Sequence, residues 1–210
     1  VVGTANILDF AREYAKDDLE LFLYFSTDEV FGPAPEGVFY KEDDRYRSGN
    51  PYAATKAGAE ELCMAYENTY KMPIIITHTM NVFGLRQHPE KFIPLIIKKI
   101  RDTEKIYVHA NSSCTKAGSR HYIHASDVAD AVLFLLDNAK IGEKYNIAGK
   151  EEINNEELVL LISEMMEQSP VYELVDFHSS RPGHDLRYAL CSEKMTKLGW
   201  SPKNVRIRLK

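Results

Sequence analysis

Residues 19–25, Leu-Glu-Leu-Phe-Leu-Tyr-Phe, and residues 73–77, Pro-Ile-Ile-Ile-Thr, are short runs of apolar, aromatic and β-branched side chains. Such runs fill buried strands. Between them Pro51 opens a long helical pattern over residues 52–71, polar on one side. Strand, helix, strand in that order is the repeating unit of a parallel sheet covered by helices. The pattern continues. Helical spacing recurs over residues 92–101, 126–138 and 155–166, and strand-like runs over residues 105–109, 121–124, 145–148 and 171–175. The chain opens inside a helical pattern, with Val1, Ala5, Leu8, Ala11 and Ala15 at helical spacing. The expected fold class is therefore α/β, a doubly wound (Rossmann-type) mainly parallel sheet. Because the first residue is Val in mid-pattern, with no start signal, the sheet is expected to be incomplete at the N-terminus.

The bulk numbers exclude several functions. With 210 residues, 44% of them hydrophobic, the chain can bury a sizeable core. A net charge of −5 argues against nucleic acid and against an anionic membrane surface as partners. No apolar run is long enough to span a bilayer, and no signal peptide is visible. Cys63, Cys114 and Cys191 form neither a disulfide framework nor a paired metal-ligand motif, so no metal site is expected and a cytoplasmic compartment fits.

Two motifs carry chemistry. Ser26-Thr27-Asp28-Glu29-Val30-Phe31-Gly32 follows a predicted buried strand, and ligands of open α/β sheets sit at the carboxyl ends of strands. Tyr52-Ala53-Ala54-Thr55-Lys56 opens a helix, and its Tyr and Lys, four apart, share one face. An ammonium beside a phenol lowers the phenol's pKa, which would make Tyr52 a base near neutral pH. Alone, a Tyr-x-x-x-Lys on a helix arises often by chance, and acids after a strand are usually solvated turn residues. In sequence, after the right elements, the two together are far more specific. Single arginines are ordinarily surface ion-pair partners. His121 and His124 fall three apart on one predicted strand and would face opposite ways, which disfavours a metal pair.

This chain resembles the nucleotide-sugar branch of the extended short-chain dehydrogenase/reductases, the NAD-dependent epimerase/dehydratases, and within it the dTDP-glucose 4,6-dehydratases. The resemblance rests on the two motifs and continues through Asn81-Val82-Phe83-Gly84, Pro89-Glu90-Lys91-Phe92-Ile93-Pro94, Arg120, Tyr145-Asn146-Ile147, Asn155, Arg181-Pro182-Gly183-His184-Asp185 and Leu198-Gly199-Trp200. It implies that residues 1–85 are the C-terminal part of an NAD-binding Rossmann domain. Residues 86–210 would be mainly a smaller nucleotide-sugar-binding lobe, with segments returning to the sheet. It implies NAD as cofactor, a nucleoside-diphosphate sugar as partner and, for the full-length protein, a homodimer. In that dimer the Tyr52 helix, with Ala57, Ala59, Leu62, Met64 and Ala65, would serve core or interface.

Roles follow from the same resemblance. Thr27 would bind the hydroxyl at carbon 4 of the sugar, and Tyr52 would take its proton. Lys56 would hold the cofactor ribose, with Val82 touching the cofactor through its backbone. Glu29 would remove the proton at carbon 5, and Asp28 would protonate the hydroxyl leaving carbon 6. Two neighbouring acids in opposite protonation states suit such an elimination. Asn81, Lys91, Arg120, Asn155, Arg181 and His184 would serve the nucleotide diphosphate, and His109 the base. Guanidinium groups suit phosphate through charge-assisted, often bidentate bonds.

The chain also departs from the family's pattern. No two of its 11 glycines stand two or three apart, so the glycine-rich turn that grips a dinucleotide pyrophosphate is absent. The family carries that turn upstream of the matched region, so residues 1–210 alone are expected to bind NAD weakly and to be inactive. Val82 replaces a second Asn, and residues 110–119 are long and polar, which leaves the base and the sugar open. Two rival readings remain: an epimerase or other oxidoreductase of the same scaffold, which usually lacks the Asp-Glu pair, and a non-catalytic nucleotide-binding relative.

Overall fold

The computed structural model describes residues 1–15, 18–176 and 186–203. Helices α1 (Val2–Tyr14), α2 (Pro51–Tyr70), α3 (Phe92–Arg101), α4 (Ala125–Asn138), α5 (Asn155–Met165) and α6 (Glu193–Leu198) alternate with strands β1 (Phe22–Thr27), β2 (Ile74–Thr79), β3 (Val82–Phe83), β4 (Ile106–Ala110), β5 (Ser119–His121), β6 (Ile123–His124), β7 (Lys144–Ile147), β8 (Glu152–Asn154) and β9 (Tyr172–Asp176). The central sheet runs β1-β2-β7, and both pairings are parallel.

Helices cover both faces of this sheet, as the β-branched run of β2 requires. Ile74 and Ile76 face one way, into a cluster with Leu8, Ala11, Cys63 and Met72 under α1 and α2. Ile75 faces the other way and packs with Ala131, Leu135, Tyr145, Ile147, Met195 and Trp200 under α4 and α6. A second layer pairs β4 with β9 in parallel and packs α3 and α5 on it through Ile93, Ile96, Ile100, Leu158 and Ile162. The doubly wound α/β expectation is borne out.

Two local expectations are corrected, and one left open is decided for three residues. The first strand covers Phe22–Thr27 rather than residues 19–25, because its register is set by pairing with Ile74–Thr79 and not by its own apolar run. Residues 121–124 do not form one strand. His121 ends β5, which pairs antiparallel with β8, and His124 ends β6, which pairs in parallel with β3. The two imidazoles thus belong to different sheets. In α2, Ala59 is buried, and Leu62 and Met64 pack on the α1 cluster, so these residues serve the core.

Candidate active site

The carboxyl end of β1 opens onto a cleft of about 660 Å³. Thr27 ends the strand in extended geometry and caps a short 3-10 turn, Asp28–Phe31, its hydroxyl accepting from the Glu29 amide at 3.3 Å. Gly32 closes the turn at φ 75°, where a β-carbon would run into the Arg47 carbonyl. The strand end and its cap therefore aim three polar side chains, at positions 27, 28 and 29, at one mouth.

Their environments differ. Asp28 is 6% exposed. Its Oδ1 accepts from the Thr27 hydroxyl at 3.0 Å, while Oδ2 is buried with no hydrogen-bond partner. Burial pushes this carboxyl up to about 6; the Glu29 charge adds to the rise, and Arg120 and the Thr27 hydrogen bond oppose it. Glu29 is only partly buried, and its Oε2 accepts from the Asn50 side-chain amide at 2.9 Å. Asn50 also caps α2, its Oδ1 accepting from the Ala53 amide at 2.9 Å. One residue thus fixes both the helix start and the Glu29 carboxylate. Pro51 was readable as a helix start, but Asn50 and its bond to Glu29 had no local signal.

Tyr52 projects from the first turn of α2 into the cleft and is 53% exposed. Its phenol is shifted up, by burial first and then by Glu29 and Asp28, with a Thr27 hydrogen bond opposing. This corrects the expectation that Lys56 lowers it. The Lys56 amine turns to the strand instead, donating to the Phe25 carbonyl at 2.5 Å and lying 4.5 Å over the Tyr24 ring. Lys56 stands one turn behind Tyr52 and does not line the cleft.

The far wall gathers residues from distant parts of the chain. Asn81, Val82, Lys91, His109, Arg120 and Asn155 all border the cleft. The Val82 carbonyl accepts from the Gln87 side chain at 2.7 Å, and the Asn81 carbonyl from the Ile123 amide at 3.1 Å. Arg120 donates to the Ser119 and Leu186 carbonyls at 2.7 and 2.5 Å and lies 4.7 Å over the buried Tyr188 ring. The Asn155 side chain accepts from the Tyr122 hydroxyl at 3.0 Å. Tyr122 and Tyr188 were not singled out from the sequence, because an aromatic side chain there reads as core. Arg181 and His184 lie outside the described residues. The long polar segment folds on itself, with Asn111 Oδ1 accepting from the Thr115 and Lys116 amides at 2.8 and 3.1 Å. Among the described residues no cluster of His, Cys, Asp and Glu could hold a metal, and no helix is long and apolar enough to cross a membrane.

Known proteins resemble this chain in sequence and fold. The low-salt glycan biosynthesis protein of Haloferax volcanii is 40% identical over 97% of this chain and 62% of its own length. The human dTDP-D-glucose 4,6-dehydratase is 38% identical over 97% of the chain and 57% of its length. The crystal structure of dTDP-glucose 4,6-dehydratase from Bacillus anthracis, in complex with NAD, superposes with a TM-score of 0.85 at 31% identity, covering 97% of this chain and 62% of that one. The chain thus spans about three fifths of the length of the relatives it matches. A family model described as GDP-mannose 4,6 dehydratase matches residues 1–207, and with the resemblance to the dTDP-glucose 4,6-dehydratases borne out by these relatives, the chain belongs to that nucleotide-sugar dehydratase family.

Proposed function

We propose that the protein is an NAD-dependent 4,6-dehydratase of a nucleoside-diphosphate hexose, with dTDP-glucose the first substrate to test. The observation that carries this reading is the pair of adjacent carboxyls in opposite settings: Asp28 buried, raised to about 6 and with one oxygen unpartnered, Glu29 less buried and bonded to Asn50. An elimination needs one group to accept a proton and another to donate one, and a buried acid beside a more solvated one meets both needs.

In this reading the Thr27 hydroxyl binds the sugar's carbon-4 hydroxyl and Tyr52 takes its proton. Glu29 removes the proton at carbon 5. Asp28 delivers its proton to the carbon-6 hydroxyl, which departs as water. NAD, when bound, supplies acceptance of hydride from carbon 4 and its return to carbon 6. The half-exposed Tyr52 hydroxyl, with the Lys56 amine one helical turn behind it, fits the nicotinamide-ribose end of that cofactor at the carboxyl edge of a parallel sheet. Val82 borders the same edge. Lys91, Arg120, Asn155 and Asn81, together with Arg181 and His184, would serve the diphosphate, and His109 the base. Residues 1–85 would then form the cofactor half and residues 86–210 the sugar-nucleotide lobe; the pairing of β7 with β2 supports a return of the later segment to the sheet.

A homodimer belongs to the same reading. It is supported by an apolar stripe on the outer face of α1, where Ile7, Phe10 and Tyr14 are 58%, 60% and 74% exposed. A cytoplasmic location is supported by the unpaired Cys63, Cys114 and Cys191. The test is product analysis with NAD, dTDP-glucose and the whole protein, of which residues 1–210 alone are expected to be inactive. A 4-keto-6-deoxy sugar with no net NADH is expected; a product that differs only in stereochemistry, still bearing its carbon-6 hydroxyl, would overturn the dehydratase in favour of an epimerase.

A further inference from the structure

Asn50 takes no part in the chemistry above, yet it joins the two elements on which that chemistry stands. Pro51 fixes its backbone. The residue before a proline is driven out of the helical region, and Asn50 is extended, at φ −147° and ψ 164°. Its carbonyl accepts from the Ala54 amide at 3.0 Å, and its side-chain oxygen accepts from the Ala53 amide at 2.9 Å. Both oxygens of Asn50 thus face the first turn of α2. The side-chain NH2 is the end that remains, and it donates to Glu29 Oε2 at 2.9 Å. Chemistry forces this orientation, because an amide NH2 cannot accept from the Ala53 N–H. The side chain is therefore a strut of fixed direction between a helix start and a carboxylate.

Glu29 has need of one. It lies in the short 3-10 turn Asp28–Phe31 and is only partly buried. Its backbone is tied to β1, since its amide donates to the Thr27 hydroxyl at 3.3 Å. Three side-chain torsions separate that anchor from the carboxylate, and a partly solvated stem of this length samples several rotamers. A base acts only within hydrogen-bond reach of the proton it removes, and a displacement of about 1 Å can cost about 100-fold in rate. Tyr52 stands two residues after Asn50, in the first turn of α2, and borders the same cleft as Glu29. One amide thus refers the carboxylate on the strand side to the phenol on the helix side.

We propose that Asn50 is a positioning residue: its side-chain amide holds the Glu29 carboxylate at a fixed place relative to the Tyr52 hydroxyl, so that the group removing the carbon-5 proton is preset when Tyr52 serves carbon 4. The consequence for turnover rests on the roles proposed above for Glu29 and Tyr52; the amide–carboxylate bond itself does not. Asn50→Ser separates strut from cap. Serine keeps an acceptor for the Ala53 amide and lacks the NH2 that reaches Glu29. In single turnovers of the whole protein with NAD and dTDP-glucose, this variant should oxidise carbon 4 within about twofold of the wild-type rate, with KM for the nucleotide sugar equally little changed. Elimination should slow about 10–100-fold, so that bound NADH builds up before it decays. Asn50→Asp keeps the cap and the shape but sets a second carboxylate against Glu29, and should show the same split more strongly; it also serves if Asn50→Ser does not fold. A residue that only starts the helix would slow both steps together. Elimination within about twofold of the wild type, or equal slowing of both steps, overturns the proposal. The bond is read apart from turnover by NMR of asparagine-labelled whole protein, with the Asn50 side-chain amide assigned through Asn50→Ser. Glu29→Ala should move that amide proton upfield as its hydrogen bond is lost, and an unmoved signal overturns the pairing. A wild-type protein that yields no keto-deoxy sugar would sink the dehydratase reading, and the amide signal would then decide the pairing alone.

Discussion

A carboxyl withdrawn from water keeps its proton, and Asp28 is held that way chiefly by burial, at about 6. Its folded value lies above the ordinary 3.8, so the folded protein holds a proton that the unfolded chain has lost between those two values. Stability therefore falls as pH rises through that window, by about 3 kcal/mol at most. Asp28→Asn, neutral at every pH, should be more stable than the wild type by about 1–3 kcal/mol near pH 8, with the difference gone below about pH 4. Urea denaturation at both pH values checks this, and a variant no more stable near pH 8 would contradict it. The same variant should lose dehydration. Glu29→Gln should accumulate bound NADH, because oxidation at carbon 4 proceeds and elimination stalls, whereas Tyr52→Phe should show none; equal absorbance near the NADH band in both would deny the separate roles. Thr27, Asp28, Glu29 and Tyr52 were legible because two short motifs hold them on adjoining elements. Asn50, Tyr122 and Tyr188 were not, because each takes its place through a partner far away in sequence.

At the scale of elements, the strongly patterned segments were readable, the strands β4, β7 and β9 among them, and the two- and three-residue strands β3, β5, β6 and β8 were not. α2, α3, α5 and β2 carry their own periodicity and appear within a residue or two of expectation. β8 is Glu-Ile-Asn and exists only because β5 lies antiparallel to it. This pair matters, because β5 carries Arg120 to the cleft. It is tied to the loop after the Asp28 turn by Arg187, which donates to both Glu152 oxygens at 2.7 and 2.9 Å and to the Ala34, Pro35 and Val38 carbonyls. Burial pushes the Glu152 carboxyl up, but hydrogen bonds from Arg187 and Ser119 outweigh it and hold the group at about 2. A depressed carboxyl stabilises the fold above its ordinary value of 4.5, and that contribution is lost as pH falls toward 2. Arg187→Lys breaks the bidentate pair and the carbonyl clamp, and should cost about 1–3 kcal/mol near neutral pH. The cost should shrink when the denaturation midpoint is measured at about pH 3. A loss of equal size at both pH values would mean that the carbonyl contacts, and not the ion pair, carry the effect.

At the scale of the whole molecule, the question is why one helix shows apolar side chains on two faces. The inner face of α1, Leu8 and Ala11, is fully accounted for by its cluster with Cys63, Met72 and β2. The outer stripe of Gly3, Ile7, Phe10 and Tyr14 repeats at helical spacing, is exposed, and includes two rings 5.1 Å apart. Ordered aromatic and aliphatic side chains in contiguous array mark contact surfaces more than they mark solvated ones. α1 lies on α2, the helix that presents Tyr52 and Lys56, so an interface here would brace the site from behind. Each buried Ile or Phe is worth about 1.5–3 kcal/mol, and a two-fold interface counts each of them twice. Ile7→Glu/Phe10→Glu should therefore weaken self-association by about 100-fold or more while leaving the fold intact, because neither side chain belongs to the core. Sedimentation velocity across the micromolar range checks it. Wild-type protein should run as a dimer and the variant as a monomer. A dimer that survives the two charges would move the interface away from α1, and a monomeric wild type would remove the dimer from the proposed function.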